Sequence, residues 1–278
     1  MKLAIASGKG GTGKTTLAVA LATLLPGCRL LDADVEEPNA RLFVKGEELE
    51  SRTVTMPIPV VNPDTCTGCG ACVRFCRFNA LALAGGRILV FEELCHGCGG
   101  CSLVCPTRAI HEKPLPIGAL STILNDTWSL VEGRLNVGRM AAPLVIRRLL
   151  AQANKTGETI IDCPPGTSCN MVTAVRDADY TILVTEATAF GLQDLSLAVN
   201  TMRKLKKRFG VIINRADLGD DRVRRYCADE SVKIHLEIPF SREIAQAIAN
   251  GKTMLDGAPE FEAQIRSVLA QTGMGGIA

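Results

Sequence analysis

Eight of the twelve cysteines fall into two runs that share the spacing Cys-x2-Cys-x2-Cys-x3-Cys. The first run spans residues 66–76, and the second repeats it 29 positions later, over residues 95–105. Thiolates at short fixed intervals hold metal ions or inorganic clusters, so the runs predict two such sites. The members are Cys66, Cys69, Cys72, Cys76, Cys95, Cys98, Cys101 and Cys105.

This spacing resembles that of bacterial ferredoxins with two [4Fe–4S] clusters, in which the fourth cysteine of each run ligates the other cluster. The resemblance implies a first ligand set of Cys66, Cys69, Cys72 and Cys105, and a second of Cys95, Cys98, Cys101 and Cys76. Pro106 follows Cys105 as in that family, whereas Arg77 replaces the proline after Cys76. The alternative is zinc, which needs neither the third close cysteine nor the x3 spacing.

A glycine-rich stretch near the start, GKGGTGKTT at residues 8–16, matches the phosphate-loop pattern G-x-x-x-x-G-K-[ST]. It follows a short apolar strand and precedes a helical segment, which is the context that this motif requires. Its backbone N–H groups would converge on phosphate oxygens, Lys14 would bridge the terminal phosphates, and Thr15 would ligate magnesium. The predicted nucleotide contacts in this stretch are Gly8, Gly10, Gly11, Thr12, Gly13, Lys14, Thr15 and Thr16.

Lys9, a second lysine early in the loop, resembles the deviant loop of the group containing MinD, Mrp, ParA, the arsenite ATPase and the nitrogenase iron protein. In that group the extra lysine reaches across a dimer to the nucleotide of the partner. The resemblance therefore implies a homodimer with ATP at its interface, and it covers roughly residues 1–50 and 130–270.

Further stretches resemble the same family. In LLDADVEEPN, Asp32 and Asp34 follow a strand, and the resemblance makes Asp34 the carboxylate that orients the attacking water. TIIDCPPGT places Asp162 at a strand end, where it would hold the magnesium shell, and Gly166 on a γ-phosphate-sensing switch.

The same resemblance extends to the base-binding side of the site. Asn214, in VIINRAD, stands where family members read adenine, and Pro239, in EIPF, would flank the base. Cys169 lies seven residues after Asp162, at the offset where the nitrogenase iron protein carries a cluster cysteine. The upstream partner cysteine of that protein is missing from GRLNVGRM, so we favour plain packing for Cys169.

Strand and helix patterns alternate in the first 50 residues and again in the second half. They predict an α/β fold with a mostly parallel sheet and helices on both faces. The expected helices are 170–176, 192–208, 220–230, 242–249 and 259–271. We expect a discontinuous phosphate-loop domain over residues 1–56 and 117–278. A small α+β ferredoxin-like domain, residues 57–116, would be inserted between prolines on both sides.

The bulk composition is that of a soluble globular protein, with 47% hydrophobic and 22% charged residues. A net charge of +2 and 4% aromatic residues give no indication of nucleic-acid binding. The opening MKLAIASGKG enters a strand and a glycine loop, so we expect neither a signal peptide nor a membrane anchor. These features predict a cytoplasmic location, where thiols stay reduced and available for ligation.

The combined prediction is an ATPase that binds ATP, Mg²⁺ and two [4Fe–4S] clusters. A nucleotide-gated dimer would control electron transfer to an unidentified protein partner. The alternative is a protein that assembles or carries iron–sulfur clusters. A positioning protein similar to MinD or ParA is a weaker third reading, because it would need no clusters.

Overall fold

The computed structural model describes residues 1–275, which divide into two compact units. The phosphate-loop unit comprises Met1–Ser51, Leu120–Arg134 and Ile146–Ala278, of which the last three residues lie outside the described part. The cysteine-rich unit comprises Arg52–Ala119 and Leu135–Val145. This unit begins before and ends after the range 57–116 that the prolines indicate, and it includes a second segment, Leu135–Val145.

The phosphate-loop unit is built on a parallel sheet. Its parallel strands are β1 (Lys2–Ala6), β2 (Arg29–Asp32), β7 (Ser129–Leu135), β8 (Thr159–Asp162), β9 (Tyr180–Glu186), β10 (Phe209–Asn214) and β11 (Ile234–Ile238). They lie in the order β11-β10-β9-β1-β8-β2-β7. Every residue of β8 and β9 is buried, so both faces of the sheet are covered. The prediction of a mostly parallel α/β fold is confirmed.

Helices alternate with these strands along the chain. They are α1 (Lys14–Thr23), α4 (Ala142–Leu150), α5 (Cys169–Val175), α6 (Ala189–Lys204), α7 (Arg222–Asp229), α8 (Arg242–Ala249), α9 (Met254–Gly257) and α10 (Glu262–Thr272). One core cluster joins β1, α1 and α10 through side chains such as Leu3, Leu17 and Ile265. The five expected helices are present, with ends shifted by up to four residues, whereas α4 and α9 were not expected.

The cysteine-rich unit contains two short helices, α2 (Ala71–Phe75) and α3 (Gly100–Leu103), one in each cysteine run. A hairpin of β4 (Leu81–Ala84) and β5 (Arg87–Val90) lies between the runs and turns at Gly85 and Gly86. A small core of Cys72, Leu81 and Ile110 collects apolar residues from this hairpin and from both runs.

Two fifteen-residue strands, β3 (Glu47–Val61) and β6 (Ile110–Leu124), were not expected. From sequence alone, their prolines indicate linkers. In β3, however, Pro57 and Pro59 stand two residues apart, so both missing N–H groups fall on one side of the strand. β3 is the last strand in the order β7-β6-β3, and an edge strand tolerates missing donors on its open side.

Helix α6 packs beside the phosphate loop, and its start depends on one side-chain cap. The Thr188 hydroxyl accepts a hydrogen bond from the backbone N–H of Gly191 at 3.0 Å. One turn further on, a Cβ placed on Gly8 would lie 2.3 Å from the Asp194 carbonyl oxygen, which shows how closely the loop approaches the helix.

Thr188→Ala should therefore lower the free energy of unfolding by about 1 kcal/mol, because it leaves the Gly191 N–H without its acceptor. Urea denaturation followed by the fluorescence of Trp128, the only tryptophan, would measure the change. Thr188→Ser keeps the hydroxyl and should retain most of the stability. Equal losses in the two variants would show that the methyl group, and not the cap, matters.

Candidate functional site

The phosphate loop connects β1 to α1 through residues in the left-handed region. Gly11 and Gly13 have φ values of 76° and 95°, and Gly13 forms the N-cap of α1. Nothing lies within 4 Å of a Cβ placed on Gly10 or Gly11, so this part of the loop faces open space. Gly166, with a φ of 84°, donates its N–H to the Ser7 carbonyl oxygen at 3.0 Å. The predicted switch glycine thus lies against the loop.

Lys14 and Thr15 begin α1 and lie next to the end of β8. The Thr15 hydroxyl donates to Asp162 Oδ2 at 2.5 Å, while Asp162 Oδ1 is buried without a hydrogen-bond partner. Burial raises the pKa of Asp162, and the Thr15 hydrogen bond and the Lys14 charge oppose this rise. A buried carboxylate oxygen without a donor, beside a threonine hydroxyl, fits the hydrated shell of a Mg²⁺ ion.

Asp32 and Asp34 differ in environment although they stand two residues apart. Asp32 is fully buried and accepts hydrogen bonds from the backbone N–H groups of Asp34, Asn39 and Ala40 at 3.2, 3.0 and 2.9 Å. It therefore holds the shape of the loop after β2. Asp34 is only partly buried; burial raises its pKa, and the Lys14 charge lowers it. Its partial exposure leaves it accessible to water.

Of the five predicted catalytic and magnesium-binding groups, four come together in one place: Lys14, Thr15, Asp34 and Asp162. The charges of Lys14 and Asp34 both act on the Asp162 carboxyl. Such an arrangement can hold a terminal phosphate, a divalent cation and a water molecule in one small region.

A cleft beside the loop contains the two residues predicted to contact the base. Asn214, at the end of β10, donates its side-chain N–H to the Thr12 carbonyl oxygen at 2.9 Å. Pro239 follows β11 and lines the same cleft. The cleft lining also includes Gly13, Thr16, Leu17, Arg215, Phe240 and Ile244. A largely apolar cleft that carries an amide side chain, next to a phosphate loop, has the chemistry expected of a nucleobase site.

Lys9 is held within its own chain by a carboxylate that the sequence reading missed. Its Nζ lies 2.7 Å from Glu186 Oε2, and Arg215 pairs with the other oxygen of the same carboxylate. Burial raises the pKa of Glu186, but the hydrogen bonds and charges of both cations bring it below its ordinary value. Glu186 ends the buried strand β9 and is paired in register with Asn214 of β10. A single charged residue that ends an otherwise uncharged buried strand was the available signal.

The eight run cysteines line two separate cavities in the cysteine-rich unit. The lining of the first cavity includes Cys66, Cys69, Cys72 and Cys105, and that of the second includes Cys76, Cys95, Cys98 and Cys101. Each cavity thus takes three cysteines from one run and the last cysteine of the other. Between residues 1 and 275, no three His, Cys, Asp or Glu side chains are arranged to hold a single metal ion.

The backbone of the two runs repeats as closely as their spacing. Gly68 and Gly70 in the first run have φ values of 66° and 68°, and Gly97 and Gly99 in the second have 61° and 72°. These left-handed glycines turn the chain around each cavity. A backbone N–H donates to a cysteine sulfur in each set: Gly97 to Cys95 at 3.4 Å and Ala109 to Cys105 at 3.2 Å.

Cys169, considered for a further cluster, is exposed at the start of α5 in the phosphate-loop unit. This exposure does not fit the plain packing expected for this residue. Cys28, Cys163 and Cys227 are buried, and burial raises the pKa of each thiol. Within the described residues, no helix is both long and apolar enough to cross a membrane.

Comparisons with known proteins give relatives that cover nearly the whole chain. An uncharacterized protein of Methanocaldococcus jannaschii, MJ0579, is 29% identical over 92% of this chain and 91% of that protein. An iron-sulfur cluster carrier protein of Aquifex aeolicus is 26% identical over 94% of this chain and 63% of the carrier.

Solved structures share the fold at lower identity. The septum site-determining protein MinD of Pyrococcus horikoshii, complexed with Mg-ADP, superposes with a TM-score of 0.56 at 18% identity. That match covers 97% of this chain and 95% of the MinD chain.

A family model describes the largest part of the chain. Residues 3–254 match the CobQ/CobB/MinD/ParA nucleotide binding domain. Because this match includes the phosphate loop and both carboxylate-bearing strand ends, the chain belongs to the CobQ/CobB/MinD/ParA family of nucleotide-binding domains.

Proposed function

We propose that this protein binds and hydrolyses ATP with Mg²⁺ as a nucleotide-gated homodimer, and holds two [4Fe–4S] clusters for electron transfer to a partner protein. The observation that supports the two clusters is the division of the eight cysteines between two cavities. Each cavity has three cysteines from one run and one from the other. This is the crossed pattern expected of a two-cluster ferredoxin.

The donor sets fit cubane clusters better than zinc. A cluster of four iron and four sulfide ions is wider than one metal ion, so its four thiolates surround a cavity instead of converging on a point. The left-handed glycines supply the turns that such wrapping requires, and N–H donors to Cys95 and Cys105 stabilise thiolate charge. When bound, the clusters would supply one-electron redox chemistry.

The nucleotide half rests on the residues around the phosphate loop. Backbone N–H groups of residues 8–16 would bind the phosphates, with Lys14 placed for their terminal charge. Thr15 and Asp162 would hold Mg²⁺, since Asp162 Oδ1 is buried and lacks a donor. Asp34 would orient the attacking water, and Asn214 and Pro239 would bind the adenine. The Mg-ADP of the MinD relative supports this choice of ligand.

The proposed dimer follows from the resemblance of Lys9 to the extra lysine of its family. In the described chain Lys9 is paired with Glu186, so dimer formation would exchange this contact for one with the nucleotide of the partner. Because the cysteine-rich segment follows closely on the Asp34 loop in the chain, nucleotide binding and redox state could be linked. Such a linkage would work equally in both directions.

A second candidate function is iron–sulfur cluster assembly or transport. The observation that favours it is the likeness to the cluster carrier protein of Aquifex aeolicus. Complete four-cysteine ligation favours retention of both clusters, whereas a carrier needs at least one labile cluster. Incubation of the loaded protein with a chelator would separate the two functions, since a carrier should lose about four iron per chain rapidly.

Lys14→Ala should abolish ATP binding, because it removes the principal charge on the terminal phosphates. Asp34→Ala should keep the affinity for ATP within a few-fold and lower turnover by at least about a hundredfold, because general-base positioning contributes that much. Calorimetric titration and phosphate release would measure the two properties. Glu36→Ala, an exposed carboxylate on the same loop, is the control and should remain active. Normal turnover in the Asp34 variant would assign the water to another residue.

The anaerobically reconstituted protein should contain about eight iron and eight sulfide per chain, as two cubanes require. Cys105→Ser should perturb the cluster held by the first run although Cys105 belongs to the second. Iron and sulfide assays with electron paramagnetic resonance (EPR) spectra would test this. Cys169→Ser, an exposed cysteine outside both sets, is the matched control and should retain all iron. Stoichiometric zinc without sulfide would contradict the proposal.

A further inference from the structure

The two cavities have different side chains at positions that the repeat makes equivalent. Thr67 and Thr107 line the first cavity. At the corresponding positions, 29 residues away in the repeat, His96 and Phe78 line the second. The repeat therefore provides an internal comparison, in which the cysteines are constant and their surroundings change.

His96 and Phe78 form a stacked pair at the second cavity. Their ring centroids lie 3.8 Å apart, with an angle of 18° between the planes. Phe75 lines the same cavity and packs so closely on Gly100 that a Cβ there would lie 2.1 Å from its ring. All three rings line this cavity, although Phe75 and Phe78 are themselves 47% and 41% exposed. Where the rings cover the cavity they exclude water, and exclusion of water disfavours the addition of negative charge.

Hydroxyl groups replace these rings at the first cavity. Thr107 Oγ1 lies 3.8 Å from the Cys105 sulfur, and the Ala109 N–H donates to the same sulfur. Hydrogen bonds to cluster sulfurs and greater access of water both favour the reduced state of a cluster.

The charged side chains beside the two cavities also favour a higher reduction potential at the first cavity than at the second. Glu112 lines the second cavity, and its Oε1 lies 3.4 Å from the Ser102 hydroxyl. At the first cavity the Arg74 guanidinium donates to the Cys69 carbonyl oxygen at 3.0 Å. A carboxylate opposes the arrival of an electron, whereas a guanidinium favours it. The rings, the threonine hydroxyls and the charges of Glu112 and Arg74 therefore act in one direction. The backbone N–H bonds do not add to this difference, because Cys95 in the second set accepts one from Gly97 as Cys105 in the first set accepts one from Ala109.

We propose that the aromatic pair Phe78–His96 and the carboxylate of Glu112 give the second cysteine set the cluster of lower reduction potential, so that the first set holds the electron acceptor within the unit. This inference rests on the proposed two-cluster function. The second cysteine set would hold the electron donor and the first set the acceptor. One electron would pass from the second cluster, oxidised from [4Fe–4S]¹⁺ to [4Fe–4S]²⁺, to the first cluster, reduced from [4Fe–4S]²⁺ to [4Fe–4S]¹⁺. A partner that receives electrons would then dock at the side of the first set.

Redox titration of the loaded protein, followed by EPR, tests the assignment. The wild-type protein should titrate in two waves. The double variant Phe78→Thr/His96→Thr copies the residues of the first cavity into the second, and Glu112→Gln removes the charge without altering size. Each should raise the lower potential and leave the upper one in place. For the double variant we expect a tenfold change in the equilibrium constant for electron transfer between the two clusters, which corresponds to a shift of 59 mV in the lower reduction potential.

Thr107→Val is the control at the first cavity, and it should lower the upper potential only. Iron and sulfide are assayed in every variant before titration, so that loss of a cluster is distinguished from a shift in its potential. A chain that binds no clusters would contradict the proposed function, and this inference with it. Two results would overturn this inference and leave the proposed function intact. One is a fully loaded wild-type protein whose two clusters titrate at the same potential. The other is a lower reduction potential that is unchanged in both the Phe78→Thr/His96→Thr and the Glu112→Gln variants.

Discussion

Two carboxylates, Asp32 and Asp162, are buried at the carboxyl ends of neighbouring parallel strands, and the nucleotide site depends on how their charge is balanced. They are register partners of β2 and β8. Burial raises the pKa of both, and the charge of Asp162 raises that of Asp32 further. Three backbone N–H groups stabilise Asp32, while Thr15 and Lys14 stabilise Asp162. Each compensating group comes from the phosphate loop or the Asp34 loop. The same electrostatic requirement therefore shapes both loops, and one oxygen of Asp162 is left for a cation.

The cysteine-rich unit depends on a different constraint, the crossed sharing of two repeats. Each set of four cysteines needs both runs, so neither run could complete a site alone. Four left-handed glycines keep the two turns alike, and the side chains between the cysteines differ. Ligation can therefore stay constant while the surroundings of each cavity vary, and it is this variation that gives the two sites separate properties.

The parts of the structure that the sequence predicts are those with local causes. The phosphate loop, α1 and the grouping of cysteines follow from spacing and glycine positions within short segments. Glu186 was missed because its contact with Lys9 arises from the order of strands in the sheet, although the two residues are far apart in the chain. The strands β3 and β6 were missed because their prolines were weighed as breaks. At Pro57 and Pro59 the spacing places both missing donors on one side of the strand. The stacking of Phe78 on His96 likewise depends on the folded hairpin and runs.

The central claim is that one chain couples ATP binding to cluster chemistry. Its most direct test is the redox titration of loaded Asp34→Ala protein with and without magnesium and ATP, because this variant should bind ATP without consuming it. The account predicts that ATP moves at least one cluster potential by tens of millivolts, and that reduction changes the affinity for ATP by the matching factor, about tenfold for 59 mV. Superimposable titration curves, with an ATP affinity indifferent to reduction, would contradict it.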